Sequence, residues 1–116
     1  MRLHHVNVVV PPGGTEDVVP FYEALGMVRV PKTTGRSAGA WFDLPGAAGA
    51  QLHVSERPGA VHPDAHFAVV VDDFDAVLAS LRAAGRPWRD AEPQGGARRG
   101  HTADPVGNAV EVVEQT

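Results

Sequence analysis

Cysteine is absent from the 116 residues, which excludes disulfides, thiolate metal sites and cysteine nucleophiles. Also missing is any apolar run long enough to cross a membrane as a helix. Basic residues are in deficit: ten Lys and Arg against 14 Asp and Glu leave a formal net charge of −4. Nucleic-acid binding needs a clustered basic footprint, and the one adjacent basic pair, Arg98–Arg99, reads as a solvated strand edge. The chain opens on a strand pattern rather than a signal peptide, so a soluble cytoplasmic protein is expected. What is present is an ordinary globular balance, 43% hydrophobic and 21% charged. The length suits one compact domain.

The informative feature is a repeat. LHHVNVVV is a β-branched strand run. PPGGT makes a loop with Thr15 as a helix N-cap, followed by Glu16 and Asp17. A helix with Phe21, Tyr22 and Leu25 on its apolar face stops at Gly26. Pro20 requires the helix to start near it or to have an irregular first turn. Strand runs MVRVP, AWFDL and QLHVS follow, the last two joined by a turn around PGAAG. The second half repeats the order: HFAVVV, then a helix capped by Asp72 or Asp73 with Phe74, Val77, Leu78 and Leu81 at helical spacing. Gly85 stops it, 59 residues after Gly26. A weak strand near Pro87–Arg89, RRGHTAD, a turn at PVGN and AVEVVE complete the half. Pro105 lies 60 residues after Pro45, in the equivalent turn. The expected fold class is α+β, with two tandem β-α-β-β-β modules (1–56 and 66–116) sharing one sheet system across a proline-rich linker, 57–65.

Imidazoles and carboxylates recur with the repeat. His5 and His66 are 61 residues apart, each at the head of a strand run. His53 and Glu111 are 58 apart, each in mid-run between aliphatic residues. Neutral imidazole and carboxylate suit divalent zinc, nickel, cobalt, manganese or iron, so the four residues are candidate metal ligands. A buried Glu111 would be costly without a partner, and a metal would supply one. Strand alternation places Gln51 on the face of His53, so either could be the fourth ligand, with Gln51 otherwise a donor to substrate or ligand. By the same alternation His4 points away from His5.

Trp41 and His101 are 60 apart on the third strand of each half. Trp41 reads as a lining aromatic. His101 is the candidate acid/base, because imidazole titrates near neutrality. Arg99 could meet an anionic substrate group if its strand is regular enough to share a face with His101. Phe42 and Phe67 read as core. Asp104 and Asn108 read as turn residues, Glu114 as solvated and His62 as an exposed linker residue.

LHHVNVVV, FYEALGM, AHFAVVVDDFDAVLASLRAAG and the closing DPVGNAVEVVE together resemble the vicinal oxygen chelate superfamily, which contains glyoxalase I, bleomycin-resistance proteins, fosfomycin-resistance thiol transferases and extradiol dioxygenases. The resemblance spans nearly the whole chain and rests on the ordered set of motifs. It implies a cupped mixed sheet with metal ligands on the first and last strands of each module, at His5, His53, His66 and Glu111. The implied function is a divalent-metal lyase, isomerase or thiol transferase acting on a small molecule, usually as a homodimer. The rival implication is a drug- or metabolite-binding protein without chemistry. Chain length disfavours ring cleavage.

Overall fold

Eight strands, six of them carrying Val, Leu or aromatic residues, and two amphipathic helices make up the computed structural model, which describes residues 1–116. The order is β1 (His5–Val10), α1 (Thr15–Ala24), β2 (Val28–Val30), β3 (Gly39–Asp43) and β4 (Gln51–Glu56). It then repeats as β5 (His66–Val71), α2 (Phe74–Ala83), β6 (Arg89–Gln94), β7 (Ala97–Ala103) and β8 (Ala109–Glu114). The class is α+β and each half is β-α-β-β-β. The chain divides into two compact units, Met1–Val61 and His62–Thr116. The expectation of one sheet system is corrected: hydrogen bonding closes within each half, giving sheets ordered β1-β4-β3-β2 and β5-β8-β7-β6.

Both sheets are mixed. β1 runs parallel to β4, and β5 parallel to β8, while the remaining pairs are antiparallel. In the first unit α1 packs on β3 and β4, burying Val18 and Tyr22 with Phe42, Leu52 and Val54. In the second, α2 packs on β8 and buries Phe74, Val77 and Leu81, while Val110 and Val112 are buried from the sheet. Alternation then sends Gln51, His53 and Ser55 to the face opposite Leu52 and Val54, and Glu111 to the face opposite Val110 and Val112. Phe42 is core, as expected, whereas Phe67 is only half-buried.

Both helices end in the same way. Gly26 (φ 101°) donates to the Glu23 carbonyl and Met27 to that of Tyr22; Gly85 (φ 70°) donates to Arg82 and Arg86 to Leu81. These paired bonds satisfy carbonyls that the helix leaves open, and the positive φ selects glycine. At the N-terminus of α2 the capping residue is Asp73, which accepts from the Ala76 amide at 3.0 Å.

Three local expectations are corrected. Thr15 is the first helical residue and Gly14 the cap; the Thr15 hydroxyl instead donates to Glu56 at 2.6 Å, beside the Gly13 amide at 2.7 Å. The helix runs through Pro20, because Pro20 and Glu16, whose carbonyl loses its donor, are both exposed to water. The strand sought near Pro87–Arg89 is Arg89–Gln94. Its residues are poor strand formers, but it is an edge strand with an irregularity between Ala91 and Gln94 that accommodates Pro93.

The Glu56 contact has a measurable consequence. The Thr15 hydroxyl, then the Gly13 amide, hold its carboxyl below the usual range. Stability from this clasp is therefore complete above the ordinary carboxylate range and is lost as pH falls through the lowered pKa. The unfolding midpoint of Glu56→Gln should depend less on pH on the acid side than that of the parent protein. An unchanged acid limb would show that the clasp contributes nothing.

Candidate functional site

Each unit gathers its polar side chains on the sheet face its helix does not cover. In the first, β4 pairs with β1 and β3 so that His53 lies between Asn7 and Trp41, and Gln51 between His5 and Asp43. Three rings stack across three strands: Trp41 on His53 (4.2 Å between centroids, 3° between planes) and His53 on His5 (4.1 Å, 16°). Gln51 donates its amide to Asp43 at 2.8 Å, which turns its carbonyl oxygen toward His53 Nε2 at 2.9 Å. A carboxylate only accepts, so the chain Asp43–Gln51–His53 assigns the proton of neutral His53 to Nε2 and leaves a lone pair on Nδ1. Burial, then the neighbouring His5, His4 and Lys32, push the His53 pKa down. Ser55 and Asn7 share a 2.7 Å hydrogen bond on the same face.

His4 departs from expectation. Its Nδ1 lies 2.9 Å from His5 Nδ1. His4 precedes the first strand residue, so the alternation that would turn it away does not yet apply.

In the second unit the register repeats. His101 is opposite Glu111, as Trp41 is opposite His53. His66 is paired with Ala109, two residues before Glu111, as His5 is paired with Gln51, two before His53. β7 alternates regularly, so Arg99 and His101 share a face with Glu111. Glu111 is buried, 8% exposed, and its partner is Arg99: Nη1 donates to Oε1 at 2.8 Å. This hydrogen bond, reinforced by the charges of Arg99, His101 and His66, holds the carboxyl below its usual range against the opposing effect of burial. The other oxygen, Oε2, lies 3.9 Å from His66 Nε2, too far for a direct hydrogen bond. His66 Nδ1 sits 3.0 Å from the Asp64 carbonyl. A carbonyl only accepts, so in the neutral ring Nδ1 carries the proton and Nε2, facing Glu111, keeps a lone pair. The His101 ring meets that of His66 edge-on at 5.9 Å.

The candidate ligands thus lie as two pairs, His5–His53 and His66–Glu111, and no group of three or more such side chains is gathered. The donor chemistry of the second pair suits a divalent metal. A ligating histidine usually donates its other nitrogen to a carbonyl or carboxylate, as His66 does to Asp64. The 3.9 Å gap falls between the roughly 3 Å expected for adjacent ligands and the roughly 4.2 Å expected for opposite ones. His53 fits less well, because its Nε2 is committed to Gln51, and Gln51 to Asp43.

The Arg98–Arg99 pair is not on a sheet edge, since β7 lies between β8 and β6, and Arg98 is exposed while Arg99 is half-buried. Arg98 binds Glu114 at 2.7 Å and Asp75 at 3.0 Å, with its guanidinium 4.7 Å over the Phe74 ring. Glu114, expected to be solvated, is therefore paired. His62 is exposed and its Nδ1 accepts from the Asp64 amide. Asp104 and Asn108 are buried turn residues: Asp104 accepts from the Val106 and Asn108 amides and from the Asn108 side chain. Asp43 and the carbonyls of Asp64 and Glu92 were not legible as site groups in the sequence. Asp43 alone carried a signal, two residues beyond Trp41 on the same face.

A sequence model of the glyoxalase/bleomycin resistance protein/dioxygenase superfamily matches residues 2–112. The chain belongs to this superfamily. None of the curated proteins compared matches it in sequence. Among solved structures, a glyoxalase family protein from Bacillus anthracis is 27% identical with a TM-score of 0.85, covering 100% of this chain and 96% of its own. The antibiotic-binding protein TnmS3 from Streptomyces sp. CB03234 is 20% identical, with a TM-score of 0.77 and coverage of 100% and 97%. A mutant of the fosfomycin resistance protein FosX from Listeria monocytogenes, complexed with Mn(II) and a dihydroxypropylphosphonic acid, is 17% identical, with a TM-score of 0.77 and coverage of 98% and 92%. The superfamily fold therefore serves both metal-bound and ligand-binding proteins. No helix of this chain is long and apolar enough to cross a membrane.

Proposed function

We propose that this chain is a small divalent-metal-dependent enzyme of the lyase, isomerase or thiol-transferase type. His66 and Glu111 form the better-prepared half of its ligand set. The first module carries candidate ligands of its own, His5 and, once released from Gln51, His53. The observation that carries this reading is the 3.9 Å gap between His66 Nε2 and Glu111 Oε2, with each group oriented from behind by a hydrogen bond. When bound, the metal would polarise a substrate oxygen and stabilise developing negative charge.

The chain's own residues have separable tasks in this reading. His101, beside Glu111 on β7, would take or return a proton on the substrate. Trp41 offers a flat apolar wall, and Gln51 fixes the ring that Trp41 covers. A homodimer is the proposed working form, from the superfamily resemblance.

The second reading is a binding protein for a drug or metabolite. The Trp41–His53–His5 stack favours it, since such a wall accepts a planar ligand without any reaction. Protein purified without chelator should carry stoichiometric divalent metal, or bind it when added. A folded protein that does neither would remove the enzyme reading. Binding of a planar drug that survives His5→Ala and Glu111→Ala would then favour the second.

A further inference from the structure

Arg99 is a candidate for holding an anionic substrate group, and two of its guanidinium nitrogens have partners within the second unit. Nη1 donates to Glu111 Oε1 at 2.8 Å, and Nε donates to the Glu92 carbonyl at 2.7 Å. Glu92 lies in the irregular stretch of β6, where pairing with β7 is interrupted between Ala91 and Gln94. A bulge of this kind frees a backbone group from the ladder and re-aims it, and here the Glu92 carbonyl meets Arg99. A continuous chain results: Glu92 carbonyl, Arg99 Nε and Nη1, Glu111 Oε1, then Oε2 across the gap from His66 Nε2, and His66 Nδ1 on the Asp64 carbonyl. Both ends are anchored on backbone, and the one open link is the gap.

We propose that Arg99 is a positioning residue that, held by the β6 bulge, occupies Glu111 Oε1 so that only Oε2 is offered to a divalent cation beside His66. This deepens the metal reading and rests on it. Two parallel constraints set the carboxylate: a planar guanidinium with fixed Nε and Nη1 directions, and a carbonyl that cannot rotate away. Lysine keeps the charge but lacks that fork. Arg99 also brings a positive charge close to the cation, which by itself would weaken binding. Orientation and charge therefore predict opposite signs for removal of the side chain, and this separates them.

The test is titration of the metal-free full-length protein with cobalt(II), following affinity and the visible spectrum, for the parent, Arg99→Met and Arg99→Lys. Positioning predicts affinity about 10- to 100-fold weaker in both variants, the range typical for partners that orient metal ligands. It also predicts a changed cobalt spectrum as Glu111 becomes free to bind through both oxygens. Tighter binding by Arg99→Met, or parental affinity and spectrum in Arg99→Lys, would overturn the positioning role while leaving the metal site standing. No cobalt binding by the parent would remove the metal reading and this proposal together. Thermal unfolding without metal checks the fold, and Arg99→Lys decides the matter if Arg99→Met does not fold.

Discussion

Glu111→Gln is expected to abolish metal binding while leaving the protein folded. The glutamine carbonyl can still accept from Arg99 in place of Oε1. Its amide nitrogen then stands where Oε2 stood, 3.9 Å from His66 Nε2, and a small shift makes it a donor to that lone pair. The substitution removes the anionic ligand and blocks the neighbouring one at once. Affinity for cobalt(II) should therefore fall by more than the roughly 100-fold upper end seen when an orienting partner is lost. The cost to stability is modest. The ion pair with Arg99 becomes a hydrogen bond from the charged guanidinium to a neutral carbonyl, at a cost of about 1–3 kcal/mol. Cooperative unfolding near the parent midpoint, together with loss of the cobalt signal, is the predicted pair of results. Retained affinity would remove Glu111 from the ligand set.

The largest expected effect on stability comes from a residue with no side chain. Gly39 is paired with Ser55 where β3 enters the first sheet, and a Cβ there would run into the Val54 carbonyl and come close to the Ser55 backbone. The obstacle is ladder backbone, which has no rotamer to change. Gly39→Ala must therefore displace β3 from β4, and these two strands carry Trp41 and His53. Overpacking typically costs about 1–3 kcal/mol and more where backbone must move, so about 3 kcal/mol is expected. For a chain of this size that corresponds to a fall in Tm of more than about 10 °C. Thermal unfolding reads this directly, and a Tm within a few degrees of the parent would show that β3 can yield. For Gly100→Ala in the second sheet the obstacle is the Trp88 ring, a side chain, and the penalty should be smaller.

The repeat was the most legible part of the chain. Strand runs, the Schellman-type stops at Gly26 and Gly85, the capping Asp73 and the Asp104–Asn108 turn all depend on local patterns, and local patterns are what a sequence displays. Pairing register was legible only through the duplication. The offsets of His5 with His66, and of His53 with Glu111, reflect equivalent positions in parallel ladders.

Long-range side-chain partners were not legible. Nothing in AVEVVE shows that Glu111 meets Arg99, because the contact depends on β7 lying beside β8. The Glu92 carbonyl became visible only with the bulge, which arises where a proline on an edge strand breaks pairing. The Asp43–Gln51–His53 chain likewise needs three residues brought together by antiparallel register. Arg98 and Glu114 appear solvated in a linear reading and are paired in the fold for the same reason.

In the proposed metal centre His66 Nε2 and Glu111 Oε2 share a divalent cation. Anomalous diffraction from crystals grown with cobalt(II) tests it most directly. A single dominant peak per site is expected within bonding distance of both atoms, with the Arg99–Glu111 Oε1 contact intact. A peak elsewhere, or no peak in crystals whose protein retains the His66–Glu111 arrangement, would contradict it.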